Sequence, residues 1–267
     1  MSYYTDSRVI NLNSLDRTSG LNGDMIISMP IDDKQRDFDS VCLISASIPK
    51  SYYLVQPGFN TFILQEDATQ IIITIDEGNY SVSSFISKVI PIINILSPNN
   101  LTYSASFNYD QGKFQFSVLS NAFASSFIFV NSLYELFGFN ANSTNSFGPS
   151  YKLKSNNVVD FAVEVNIFVR SDICSVQNSD ILASISSAGV PNFGYIKYEC
   201  PDILACSRPI AAFNNQHRFF LTNDRENDDP SQQILNLNGI NMILNILIYK
   251  KENIDQIIKQ YIKFKTS

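Results

Sequence analysis

Tryptophan is absent from this chain of 267 residues, histidine occurs once, and cysteine occurs four times. Each scarcity removes some chemistry. Without tryptophan, a frequent platform for sugar rings is missing. The single histidine, His217, falls in a strand-like stretch, where a core or interface side chain is more ordinary than a catalytic base, and no nucleophile–base set is assigned around it. Cys42, Cys174, Cys200 and Cys206 are too few and too irregularly spaced for a disulfide framework, so reduced thiols made inside a cell are the expectation. Cys200 and Cys206 have a C-x5-C spacing with no nearby histidine, which does not match a zinc site. They are read as packed thiols, with a small loop disulfide as the other possibility. Glycine is also sparse, at ten residues, and neither GxxxxGK[ST] nor GxGxxG occurs. No apolar run is long enough to span a bilayer. The start, MSYYTDSRVINLN, lacks the basic and apolar regions of a signal peptide.

Charge is scarce as well. Charged residues make up 16% of the chain, and the formal net charge is −6, which argues against a broad nucleic-acid footprint. The acidic cluster Asp224, Glu226, Asp228 and Asp229 lacks the alternating carboxylates and central glycine of a calcium loop, so it reads as a solvated turn. Five lysines lie between Lys250 and Ser267 against Glu252 and Asp255. They read as the exposed side of a terminal helix whose cations suit its C-terminal dipole, or as a tail that touches an acidic neighbour. Paired carboxylates for glycoside hydrolysis are not singled out by any spacing. The expectation is therefore a non-enzyme with no catalytic, cofactor-binding or metal-ligating residue and no cofactor.

What the chain does have is strands. Val159, Phe161, Val163, Val165, Ile167 and Val169 form an apolar row with Asp160, Glu164 and Asn166 between them, which predicts a strand with one buried and one mostly wet face. Similar patterns predict eight main strands at 24–29, 39–48, 60–65, 158–169, 180–186, 193–199, 216–222 and 239–249. Eight strands with few helices predict a mainly β chain built on a single jelly-roll β-sandwich. Residues 66–150 have another character. Ile71, Ile73 and Ile75 alternate. Ser81 caps a helical pattern that contains Pro91, which is expected to kink or split it. Asp110-Gln111-Gly112 joins two strands of period two, and Gly138 closes a short helix. The domain reading is a polar arm at 1–23, a discontinuous jelly roll at 24–65 and 151–250, an inserted α+β domain at 66–150 and an amphipathic helix at 251–267. In that topology the insert and loops 30–38, 187–192 and 223–238 share one end of the sandwich, and loops 49–59, 170–179 and 200–215 share the other.

The order of several blocks resembles the minor capsid, or penton, proteins of virophages and polinton-like viruses. The blocks are INLNSLDR, VCLISASIPKSYYLV followed by NTFIL, IDEGNYS before the helix, FNYDQGKFQFSV and YELFGF, covering residues 9 to 139. The resemblance implies a structural virion protein at the capsid vertex. Such a protein forms a homo-oligomer, a pentamer, and sits among double-jelly-roll major capsid proteins. Two other readings stay open: a host-attachment or glycan-binding module with the insert as its recognition head, and a β-sandwich carbohydrate-active enzyme.

Overall fold

The computed structural model describes residues 7–29, 38–119, 123–130, 132–161, 166–174, 180–211, 214–223 and 234–251. The chain splits into two compact units, Met1–Tyr52 with Glu164–Ser267, and Tyr53–Val163.

In chain order, the first unit opens with strands β1 (Ser7–Asn13), β2 (Ser19–Leu21), β3 (Asp24–Ser28) and β4 (Ser40–Pro49). The second unit follows with β5 (Thr61–Glu66), β6 (Thr69–Thr74), helix α1 (Val82–Leu96), β7 (Tyr103–Asn108), β8 (Lys113–Val118), β9 (Ser125–Phe129), helix α2 (Tyr134–Phe137), β10 (Ser143–Ser146) and β11 (Lys152–Lys154). The chain then returns to the first unit through β12 (Asn166–Ser171), β13 (Ile181–Ser186), β14 (Tyr195–Glu199), helix α3 (Ile203–Cys206), β15 (Arg208–Pro209), β16 (Gln216–Asn223) and β17 (Ile243–Tyr249).

The first unit holds two antiparallel sheets. One runs β1-β17-β4-β14, with β15 also on β4, and the other runs β13-β12-β16-β3-β2. Taking β1, β3, β4, β12, β13, β14, β16 and β17 as the eight main strands in sequence, the orders become first-eighth-third-sixth and fifth-fourth-seventh-second. That pairing of two four-stranded Greek keys is a jelly roll. Alternation explains which side of each sheet is dry. Leu12, Val41, Leu43, Leu244, Ile246 and Ile248 are buried on one sheet, and Met25, Ile27, Ile167, Val169, Phe219 and Leu221 on the other. Across the second sheet, the Arg218 guanidinium makes two hydrogen bonds to the Asp24 carboxylate, at 2.7 and 2.8 Å, and ties β16 to β3.

Two sequence expectations are corrected here. Residues 60–65, expected in the sandwich, form β5, which pairs with β6 and β9 of the second unit. The place of the missing eighth strand is taken by β1, inside the stretch read as a polar arm, which pairs along its whole length with β17. The swap moves the strands at 24–29 and 39–48 from first and second to second and third, and leaves the numbering after the insert unchanged. Loop 49–59 therefore joins the end that carries the loops after β13 and before β17, through Lys50 and Ser51. Asp39, directly before β4, lies at the opposite end, where the Ile210 amide donates to the Asp39 carbonyl and the Ala211 amide to that of Ile173. The strand expected at 158–169 is also shorter. Its described part is Asn166–Ser171, and Val159 and Phe161, outside any strand, pack on the core of the second unit. Residues 162–165 lie outside the described residues, as do the expected terminal helix beyond Lys251 and the acidic cluster at 224–229.

The second unit holds a sheet β10-β9-β5-β6, a sheet β11-β8-β7 and helix α1 around an aromatic core. Phe127 lies edge-on to Phe62, Phe116, Phe137 and Phe147 at centroid distances of 5.2 to 6.0 Å. Helix α1 starts with a capping box in which Ser81 and Ser84 satisfy each other's backbone amides. It does not break at Pro91. The buried stripe is Phe85, Val89 and Ile93, while Pro91 and Ser87, whose carbonyl loses its helical partner, lie on the exposed face, where that carbonyl is open to solvent. Gly138 ends α2 at φ +72, and a β-carbon there would meet the Asn157 carbonyl at 2.6 Å.

Candidate assembly surface

The block IPKSYY marks where the chain leaves the sandwich. Pro49 is the last residue of β4. Lys50 follows, almost fully buried, and its ammonium donates to the carbonyls of Ser187 and Val190 at 3.2 and 2.9 Å. Its backbone completes the clamp, with the Lys50 amide donating to the Gly194 carbonyl and the Phe193 amide to the Lys50 carbonyl. Desolvation lowers the Lys50 pKa below the ordinary lysine value. Ser51 then donates to the Leu237 carbonyl at 2.7 Å, and its own carbonyl accepts from the Asn238 amide side chain. Two sequential polar residues thus hold two loops at one end of the sandwich.

The outer face of the β1-β17-β4-β14 sheet is divided in two. Toward the Tyr249 end of β17 it is dry. Cys42, Ile44, Leu247 and Tyr249 form a small cluster with Cys200 and with Ile203 of α3. This covering explains why β17 is apolar on nearly both faces. Toward the Lys50 end the face is wet, with polar rows running across the strands. Asn11 donates to Asn245 at 2.8 Å, Asn245 donates to Ser45 at 2.9 Å, and Lys197 donates to Ser47 at 2.7 Å. Lys197 also sits 5.4 Å from the Tyr195 ring centroid. Beside these rows a shallow groove of about 450 Å³ is lined by Asn13, Ser47, Tyr195, Gly239, Ile240, Asn241 and Ile243. Tyr195, Ile240 and Ile243 are exposed there, as is Phe193 next to Tyr195. The surface is a mixture of amide and hydroxyl groups with a few large apolar side chains, which suits contact with protein.

His217 is buried on β16, and both ring nitrogens are engaged. Nδ1 donates to Asp172 at 3.0 Å, and Nε2 accepts the Asn214 amide at 3.2 Å. Asp172 also accepts the Arg218 amide, so the imidazole braces a strand end. Among the described residues, no group of three or more histidine, cysteine, aspartate and glutamate side chains is arranged to hold a metal ion. The two grooves described, this one and a polar groove around the β7–β8 hairpin, have one carboxylate between them, Asp110. Glu66 is a buried carboxylate with a structural task. It accepts from the Ser97 hydroxyl, the Asn99 amide and the Tyr103 hydroxyl at 2.7, 2.8 and 2.8 Å, holding the end of α1 against β7. Sequence reasoning missed the roles of Lys50, Glu66 and the asparagine row. Only Lys50 had a visible signal, a lone cation directly after a strand-ending proline in an otherwise apolar block.

No family model matches the chain, and no curated protein matches its sequence. Among solved structures, the fold is similar to the crystal structure of the mavirus penton protein. The identity is 12%, the TM-score is 0.45, and the match covers 91% of this chain and 99% of that one.

Proposed function

We propose that this chain is a penton-type structural virion protein. It assembles as a homo-oligomer, a pentamer at an icosahedral vertex, and contacts a double-jelly-roll major capsid protein. The observation that carries this reading is a single closed jelly roll interrupted after β4 by a separate α+β unit. The blocks that resemble virophage-type penton proteins fall on its framework. INLNSLDR is β1 and the turn after it, VCLISASIPKSYY is the central strand and the clamp, IDEGNYS leads into the cap of α1, FNYDQGKFQFSV is the β7–β8 hairpin, and YELFGF is α2 with its glycine cap. A closed ring requires head-to-tail contact between unlike surfaces of the same subunit. The sandwich offers unlike edges, with β1 and β2 as edge strands at one side of their sheets and β14 and β13 at the other. The polar rows and exposed Tyr195 and Ile243 add a face of mixed character for a neighbour.

Co-expression with a double-jelly-roll major capsid protein tests this. Particles are expected to contain the chain at their vertices. Closed particles that exclude it would overturn the reading.

A further inference from the structure

Three of the four cysteines meet under α3. The sulfurs of Cys42, on β4, and Cys200, directly after β14, are 3.6 Å apart, and both residues are fully buried. Cys206, the last residue of α3, is half-buried, and its thiol is near enough to that of Cys200 to interact with it. Cys174 lies apart, donating weakly to the carbonyls of Ser171 and Asp180. The three clustered thiols run from the surface inward: Cys206, Cys200, Cys42. Strand β14 is an edge strand whose neighbour Cys200 donates its amide to the Ile44 carbonyl of β4, and beyond Cys200 the chain turns into the short α3 that ends at Cys206.

We infer that these three residues form a thiol relay through which a small external disulfide, such as oxidised glutathione, installs a buried Cys42–Cys200 disulfide. Cys206, reached by solvent, gives up its proton and attacks one glutathione sulfur. The glutathione disulfide breaks, one glutathione leaves as a thiolate and takes up a proton, and a Cys206–glutathione mixed disulfide remains. Cys200 then attacks the Cys206 sulfur, releasing the second glutathione, which takes the Cys200 proton. Cys42 attacks the Cys200 sulfur, the Cys200–Cys206 bond breaks, and Cys206 recovers a proton as a free thiol. The net exchange oxidises two protein thiols to one disulfide and reduces one glutathione disulfide to two thiols. Burial raises the Cys42 and Cys200 thiols above their ordinary range, so both stay protonated and react slowly with an oxidant in solution, and the route that starts at the exposed member is the faster one. The final bond needs the two sulfurs to close from 3.6 Å to about 2.05 Å. Once formed it is out of reach of external thiols, which favours it over the exposed Cys200–Cys206 alternative. It would fasten the edge strand β14 to the centre of its sheet.

The test is to incubate the full-length protein with oxidised glutathione, block the remaining thiols with N-ethylmaleimide, and map the peptides by mass spectrometry. The expected product links Cys42 to Cys200, with Cys174 and Cys206 alkylated, and its thermal midpoint lies roughly 5–10 °C above that of the reduced protein. The C206S variant, altered at a half-buried helix end, is expected to fold as the parent does and to form the same bond about ten-fold more slowly. Four alkylated thiols, a Cys200–Cys206 link as the end product, or a stable glutathione adduct on Cys206 would overturn the inference. An unchanged rate in C206S would overturn the relay.

Discussion

The ammonium of Lys50 donates to the carbonyl of Val190 at 2.9 Å, joining the residue directly after β4 to a loop 140 positions later in the chain. Replacing Lys50 by methionine keeps a similar stem and removes one donor from each of the Ser187 and Val190 carbonyls in a nearly dry site, although Ser187 keeps the Val190 amide. Lys50→Met is expected to cost about 1–3 kcal/mol. A urea titration at pH 7 reads this as a lower midpoint with unchanged slope. An unaltered midpoint would mean that water already serves those carbonyls.

Glu66→Gln tests the buried carboxylate of the second unit. The carboxylate accepts three hydrogen bonds, and the amide offers one acceptor oxygen and turns its NH₂ toward a donor. The expected loss is about 2–4 kcal/mol. Near-ultraviolet circular dichroism and protease sensitivity within 53–163 locate the effect. Equal sensitivity in variant and parent would contradict the role given to Glu66.

Phe127→Ala removes the ring at the centre of the aromatic core, which is fully buried against four other phenylalanines and Tyr103. A cavity of that kind costs about 3–5 kcal/mol. Thermal unfolding is expected to separate into two transitions, with the lower one belonging to 53–163. A single transition at the parent temperature would show that the core repacks without loss.

Much of this second unit was legible because its signals are local. Helix α1, the β7–β8 hairpin, β9 and the glycine cap of α2 all sit where periodicity, a serine cap and turn residues place them. The strand partners were not legible where the signal is weak or distant. β5 and β6 are joined by the two-residue turn Asp67-Ala68, with Asp67 in the left-handed region at φ +51. An Asn-Gly or Asp-Gly pair would have advertised that hairpin, but Asp-Ala does not. β1 reads as a polar arm because it is an edge strand whose outward residues are Val9, Asn11 and Asn13, with Leu12 its one fully buried apolar side chain. Its identity as a strand rests on pairing with β17, more than 230 residues away, and no local pattern reports that. Lys50 and Glu66 were missed for a related reason. Both serve carbonyls or hydroxyls that only the folded chain brings near.

Alkaline pH supplies a further check. Burial raises the pKa of the Cys42 and Cys200 thiols, and that of Cys174 to about 11, from an ordinary value of 9.0. Below the ordinary value all these thiols are protonated in both states, and their contribution to stability is fully present. As pH rises from 9 toward 11, the unfolded chain loses those protons first, so the unfolded state gains. Each such thiol removes up to about 1.4 kcal/mol per pH unit across that window. Lys50, whose pKa is lowered, acts in the opposite sense, because its buried charge is a cost that fades as pH rises toward 10.5. Three thiols outweigh one lysine, so the urea midpoint is expected to fall between pH 9 and pH 10.5. A rise over that range would contradict the burial assigned to the cysteines.

The most direct measurement of the proposed function is the mass of the purified full-length protein under native conditions. The jelly roll with its interrupted connection, read as a penton subunit, predicts a species of five times the 30.0 kDa chain, seen as a five-fold ring by electron microscopy. A protein that stays strictly monomeric at every concentration, with or without its capsid partner, would contradict the account.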